Sequence, residues 1–257
     1  MDTRLVTIPS YQVRLEKKVQ VAATASLYCF RFEDPGYFRF SAGRYAWLLL
    51  DQLITSDPRG SRRAFSIASS HTDKATISFL VRNSESGYKK TLNAMPFGES
   101  AQVIGPFGYS FILPQEAKHP VTFIAGGVAI APLIGIINSY TEKPKIPFRV
   151  VHYVADAAQS CKLDQLSLKF KEYGIEIMTC IGPFSGQSLP ADIRYPEEHF
   201  YISGPQEFVN SVDSFLKRKA VPLEHCHFDE HFPQPIGNLT EETIRAKKEN
   251  FCVRAIS

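Results

Sequence analysis

The sequence contains no apolar run approaching the roughly 20 residues that a transmembrane helix needs. Its first twenty residues lack the apolar core of a secretory signal. The five cysteines (Cys29, Cys161, Cys180, Cys226 and Cys252) are odd in number and never form a CxxC pair. That scatter argues against a disulfide framework, a zinc site and an iron–sulfur cluster held by this chain, and it places the expected home in a reducing compartment, the cytoplasm. A net charge of +3 is too small an excess to suggest nucleic-acid or membrane binding. What is present is ordinary globular composition, 44% hydrophobic and 21% charged, over 257 residues, the length of two ordinary domains or one large one, with a packed core expected.

The first half reads as strands: Tyr11 to Gln20, Ser26 to Phe32, Tyr45 to Asp51 and Arg63 to Ala68, separated by turns such as Asp34-Pro35-Gly36 and Asp57-Pro58-Arg59-Gly60. Ile77, Phe79 and Val81 show the period-two alternation of a half-buried strand. A helix is expected from Tyr88 to Met95 and a further strand over Ala101 to Ile104. Many short strands at this spacing predict a small antiparallel β-barrel. After Pro120 the rhythm changes to strand–helix alternation. Apolar Val121 to Ala125 is followed by a glycine pair and a helix opened by Pro132. Strands Phe148 to Val154, Ile175 to Cys180 and Phe200 to Ser203 follow, with helices at Cys161 to Tyr173 (apolar at Leu163, Leu166, Leu168 and Phe170) and Gln206 to Arg218. This alternation predicts a doubly wound parallel sheet. The expected division is 1–117, 118–232 and a tail, 233–257, whose Glu241, Glu242, Lys247 and Lys248 suit a short helix but equally a disordered segment.

Four stretches carry chemistry. Arg63 and Phe65, two apart on a strand, share a face and make a floor for a flat aromatic ligand bearing a phosphate, although taken alone such a phenylalanine is more often core and such an arginine an edge charge. The turn Ser86-Gly87-Tyr88-Lys89-Lys90-Thr91 opens a helix whose N-terminal amides suit a phosphate, or is a capped surface helix. Gly126-Gly127, between a buried strand and the helix carrying Pro132, suits a dinucleotide pyrophosphate or a tight turn. Ser203-Gly204-Pro205 ends another buried strand, so it faces the same crevice, or is one more turn.

These motifs, in this order over Tyr11 to Phe232, resemble the ferredoxin–NADP reductase-like superfamily, in particular its short single-chain members with R-T-F-S-I-A-S and D-S-x-F-K motifs. Gly105-Pro106-Phe107-Gly108 resembles that family's G-P-F-G turn. The resemblance implies an N-terminal FAD-binding barrel, a C-terminal NAD(P)-binding α/β domain and a flavin between them. By it Arg63 meets the FAD pyrophosphate, Ala64 and Phe65 lie against the isoalloxazine, Ser66 sits near N5, and Val81 contributes to the flavin site. Gly87, Lys89, Lys90 and Thr91 fall where the FAD phosphates are held. Gly126, Gly127 and Pro132 match the nicotinamide loop, in which Ala129 stands for a third glycine. Ser203, Gly204 and Pro205 match the turn beside the nicotinamide ring. Asp229-Glu230-His231-Phe232 resembles the acidic–aromatic segment that closes the flavin site, with Glu230 as tuning group or proton donor and Phe232 as a flavin contact. Ala155, with Asp156 beside it, stands where an arginine for the 2′-phosphate of NADPH is often found, which favours NADH.

The activity implied is electron transfer from NADH or NADPH through FAD to a separate protein, ferredoxin-like or haem-containing. Two alternatives belong to other classes. One is direct reduction of a small molecule such as free flavin, a ferric chelate or a quinone. The other is non-catalytic binding of flavin or nucleotide.

Overall fold

The computed structural model describes residues 9–108, 111, 119–161, 166 and 168–229. Expectations for Glu230, His231, Phe232 and the tail lie outside the described residues.

The turn-punctuated strands of the first half form one six-stranded antiparallel sheet: β1 (Ser10–Ala22), β2 (Ala25–Phe32), β3 (Tyr45–Leu49), β4 (Arg62–Ser66), β5 (Thr76–Arg82) and β6 (Ser100–Phe107), in the order β4-β3-β6-β1-β2-β5. A bridge between Ile67 and Phe79 brings the two ends of that order together and closes the barrel. Alternation fills its interior with Leu15, Phe30, Leu48, Ile77, Phe79 and Val103, each at most 1% exposed. Helix α1 (Gly87–Ala94) is capped by the Ser86 hydroxyl, which accepts from the Lys89 amide. Tyr88 and Leu92, one turn apart, are fully buried, and the Tyr88 hydroxyl donates to the Leu48 carbonyl at 2.9 Å.

The second half is a five-stranded parallel sheet of β7 (Val121–Gly126), β8 (Phe148–Val154), β9 (Glu176–Ile181), β10 (His199–Ser203) and β11 (Cys226–Phe228), ordered β11-β10-β7-β8-β9. β7 is buried along its apolar run because α2 (Ala131–Ser139) and α4 (Gln206–Arg218) cover the sheet, with α3 (Lys169–Glu172) between them in the chain. Three-residue β11 escaped sequence reading, being shorter than any window in which alternation registers. Of the helix expected over Cys161 to Tyr173, only α3 and isolated neighbours are described; Leu163 lies outside them, Phe170 is buried, and Leu168 is 78% exposed instead of facing the core.

Helix α2 also joins the two halves. Asn138 Nδ2 donates to the Ala68 carbonyl at 3.2 Å, and the His71 amide donates to Ser139 Oγ at 3.1 Å. A Cβ at Gly135 would stand 2.3 Å from the Ile67 carbonyl oxygen, so glycine is what lets the helix lie on the barrel.

Candidate functional site

Strand order reverses between β7 and β10, and in an open α/β sheet ligands bind beyond the carboxyl ends of strands at such a switch point. Gly126-Gly127 leaves β7 and Ser203-Gly204-Pro205 leaves β10 at that place, their strands paired in register from His199/Val121 to Ser203/Ala125. The two motifs face a cleft of about 670 Å³ whose opposite wall is the barrel: Ala64, Phe65, Ser66, Leu80, Arg82 and Lys89. The sequence-predicted Gly126, Gly127, Gly204 and Pro205 line the α/β side, as does Ala129. Cβ atoms at Gly126 and Gly204 would press on the Phe208 ring, at 3.3 and 2.4 Å. At Gly127, with φ +59°, nothing lies within 4 Å of the Cβ position, so a ligand has open access to the backbone. Pro132 is buried at the second position of α2 and shapes the helix start from behind the cleft wall.

Beneath the loop, fully buried His152 donates from Nε2 to the Gly127 carbonyl at 2.9 Å, and burial pushes its pKa down, so the neutral ring fixes the turn. A lone histidine within an apolar strand gave no sequence signal.

Two predicted residues, one from each half, meet on one carboxylate. Ser203 Oγ donates to Asp229 Oδ2 at 2.8 Å, and Ser66 Oγ donates to the same oxygen at 3.3 Å. Asp229 follows β11, and pairing of β10 with β11 (Ile202 opposite Phe228) carries it to the end of β10. Asp229, the described residue of the acidic segment, is the acid the structure places between the two serines.

The barrel wall corrects several expectations. Phe65 is half-buried and packs on Phe79 and Tyr88, with ring centroids 5.9 and 6.1 Å apart, leaving one side on the cleft. Lys89 also faces the cleft. Its Nζ lies 6.0 Å from the Phe65 ring centroid and donates to the Arg82 carbonyl, and burial lowers its pKa to about 8, with Arg82, Arg63 and Arg59 adding to the shift. Val81 does not face the cleft: it is 1% exposed inside the barrel, and the wall is made by its neighbours Leu80 and Arg82. Lys90 points elsewhere, to Glu85 at 3.0 Å. Thr91 Oγ1 donates to the Gly87 carbonyl and accepts from the Ile54 amide, a local role.

Arg63 shares the Phe65 face, as the alternation required, but that face turns inward onto Tyr88, with the guanidinium carbon 4.9 Å from the ring centroid. Its side chain is 7% exposed and ion-paired to Asp57 at 2.6 Å, while Nη1 donates to the carbonyls of Arg59, Gly60 and Arg62. Asp57 accepts from the Tyr88 amide at the start of α1 and from the Arg59 amide, and these bonds, with the Arg63 charge, hold its pKa down to about 2. Residues 55–57 thus cover the N-terminus of α1: a Cβ at Gly87 would sit 2.4 Å from the Thr55 carbonyl oxygen. Asp57 had been legible only as a turn residue.

A flavin ring system fits the wall made by Ala64, Phe65 and Ser66, and a nicotinamide dinucleotide fits the open glycine loop. An FAD diphosphate held by Arg63 and the α1 amides does not fit: Arg63 lies outside the cleft lining, its Nη1 bonded to three carbonyls and its Nη2 buried in the ion pair with Asp57, and the Tyr88, Lys89 and Lys90 amides bond within the chain.

Residues 12–111 match the family model described as an oxidoreductase FAD-binding domain, and the fold of the two halves together is similar to that of a ferredoxin reductase. The chain is 24% identical over 259 aligned residues to the reductase component of propane 2-monooxygenase from Mycolicibacterium goodii, covering 91% of this chain and 72% of that protein. Among solved structures it is similar to the flavohem-like FAD/NAD-binding domain of nitric oxide dioxygenase from Vibrio cholerae O1 biovar El Tor (TM-score 0.74, 16% identity, 85% of this chain and 97% of that one). It is likewise similar to the ferredoxin reductase in carbazole 1,9a-dioxygenase (TM-score 0.71, 18% identity, 88% and 70%).

Proposed function

We propose that this chain takes hydride from NADH, and less readily from NADPH, onto FAD and delivers the electrons to a separate acceptor protein, ferredoxin-like or haem-containing. The observation that carries the reading is the cleft at the switch point, where Ser66 of the barrel and Ser203 of the α/β sheet share Asp229 across the wall that Phe65 and the glycine turns form. A bound flavin supplies the chemistry of accepting a hydride and releasing its two electrons singly. Phe65 offers an apolar face to the ring. Gly127 leaves the backbone open to the dinucleotide, Gly126 and Gly204 let the turns close on Phe208 beside it, and Asp229 orients both hydroxyls. The relatives support a separate acceptor, since the propane 2-monooxygenase protein is named as a reductase component.

The same proposal assigns 1–117 to the flavin, 118–232 to the nicotinamide and no role to 233–257. Glu230 and Phe232 remain proposed members of the site. No helix among the described residues is long and apolar enough to cross a membrane. Cys29, Cys161, Cys180 and Cys226 are free, which supports a cytoplasmic setting.

Visible absorbance tests the reading. The protein reconstituted with FAD should show flavin bands that bleach on anaerobic NADH addition and return when a ferredoxin or cytochrome is added. Bands that NADH leaves untouched would refute the electron-transfer function.

A further inference from the structure

We propose that this site selects flavins by the ring and not by the phosphate tail, so that FAD, FMN and riboflavin are taken as one class and the flavin is exchangeable. The inference rests on the flavin reading and changes what it means for the acceptor.

Three independent observations carry it. First, the arginine placed to bind a diphosphate is turned into the chain: Nη1 donates to three backbone carbonyls, and Nη2 is buried in an ion pair with Asp57 at 2.6 Å without a hydrogen bond of its own. It is also absent from the residues that line the cleft. Second, the first amides of α1 are used internally. Tyr88 N donates to Asp57, Lys89 N to the Ser86 hydroxyl and Lys90 N to the Ser86 carbonyl. Anion binding at a helix start needs those amides open. Third, the close approach of Gly87 to the carbonyls of Thr55 and Ser56 shows the helix start roofed by the chain itself. Asp57 is thus a built-in anion: it satisfies from inside the two elements that would otherwise hold a phosphate.

What stays on the cleft wall recognises a ring: the Phe65 face, Ala64, Leu80 and the Ser66 edge. Lys89 and Arg82 are the cations of the wall, and Lys89 is tied to the Arg82 carbonyl. A flavin that is not anchored by its tail would be free to leave after reduction, carrying the hydride of NADH, that is two electrons and one proton, with a second proton from solvent in the neutral reduced form. The small-molecule reading, with flavin itself as acceptor, then runs on the same site.

The test is binding, with turnover kept out of it. Dissociation constants of FAD, FMN and riboflavin for the full chain stripped of flavin are measured by fluorescence quenching, for the unaltered protein and for Arg63→Gln and Asp57→Asn. The expected result is a spread of no more than about tenfold among the three ligands, with the FAD-to-riboflavin ratio unchanged in both variants. A ratio above tenfold in the unaltered protein that either variant collapses overturns the inference. So does such a ratio in the unaltered protein if both variants fail to fold. A larger ratio that survives both substitutions overturns it as well, because the tail is then recognised by a group other than Arg63. Failure of all three flavins to bind would sink the flavin function itself, a different outcome from a high ratio.

Discussion

Asp229 holds two hydroxyls that come from different sheets, and this gives it an effect larger than that of either serine. Removing the carboxylate frees Ser66 and Ser203 to rotate where the proposed flavin and nicotinamide sites adjoin. Loss of a charge-assisted contact and of orientation at a reacting centre costs about ten- to a hundredfold in rate. Asp229→Ala should therefore slow flavin reduction by NADH by about that factor in stopped-flow measurements, while flavin affinity, which depends on the Phe65 wall, stays level. An equal slowing in Glu230→Gln with no change in Asp229→Ala would assign the role to the neighbouring acid. The two serines were legible because each sits in a motif with a strand beneath it. Asp229 was visible as one acid of a segment, but which acid of a Asp-Glu pair faces inward depends on the register of β11, and that three-residue strand leaves no periodic trace. Asp57 was hidden for a related reason: it belongs to a turn whose closure onto α1 is a tertiary event.

At the scale of elements, the strand pattern was largely readable and the faces only partly so. Every strand predicted from alternation or an apolar run is present. Ile77, Phe79 and Val81 do share a face, but it is the barrel interior; one step along the pleat, Leu80 and Arg82 face the cleft. Which face of a closed sheet receives a ligand is decided by what packs outside it, here α2 and the glycine loops. Helix α2 gives a direct test, since Gly135→Ala inserts a methyl group against the Ile67 carbonyl oxygen. Overpacking of this kind costs about 1–3 kcal/mol, and a lowered melting temperature with an unchanged circular dichroism spectrum is expected. The sheet edge gives another. His199 Nδ1 lies 3.1 Å from His227 Nε2, His225 stacks on His199 with centroids 4.3 Å apart, and His119 stacks beside them at 5.3 Å. Burial, with His199 and His225 nearby, lowers the His227 pKa to about 4; burial likewise lowers that of His199, opposed by Glu224. A depressed folded-state pKa means that the unfolded chain binds the proton first. Stability from this stack is present above about pH 6.5 and is lost as pH falls toward 4, by on the order of 3 kcal/mol for His227. Melting temperatures across that window should fall less steeply for His227→Phe than for the unaltered protein; parallel curves would show that the stack does not titrate as described.

Across the whole molecule, charge is divided unequally between the two walls of the cleft. Its cationic lining residues, Arg82 and Lys89, belong to the barrel. The α/β wall, from Gly126 and Val128 through Val154, Ala155 and Gln159 to Gly182 and Pro205, presents glycine, apolar and neutral polar residues among those described. Asp156, next to Ala155, is occupied in capping the turn that follows: it accepts from the Gln159 amide at 3.1 Å and from Gln159 Nε2 at 2.7 Å. It therefore adds a negative charge near the position where NADPH would bring a phosphate, and no described side chain of that wall answers it. If a dinucleotide sits on the glycine loop at the end of β7, the end of the neighbouring β8, which these residues follow, is where its adenosine ribose would be held. NADH should reduce the flavin about tenfold or more faster than NADPH at equal low concentration, since one charge-assisted phosphate contact is worth roughly that factor or more. Ala155→Arg should narrow the difference by raising the NADPH rate while leaving the NADH rate nearly as it was, because a guanidinium there meets the phosphate and nothing that NADH carries. Stopped-flow traces at several concentrations separate binding from the reduction step. A native preference for NADPH would mean that a cation outside the described wall reaches the ribose.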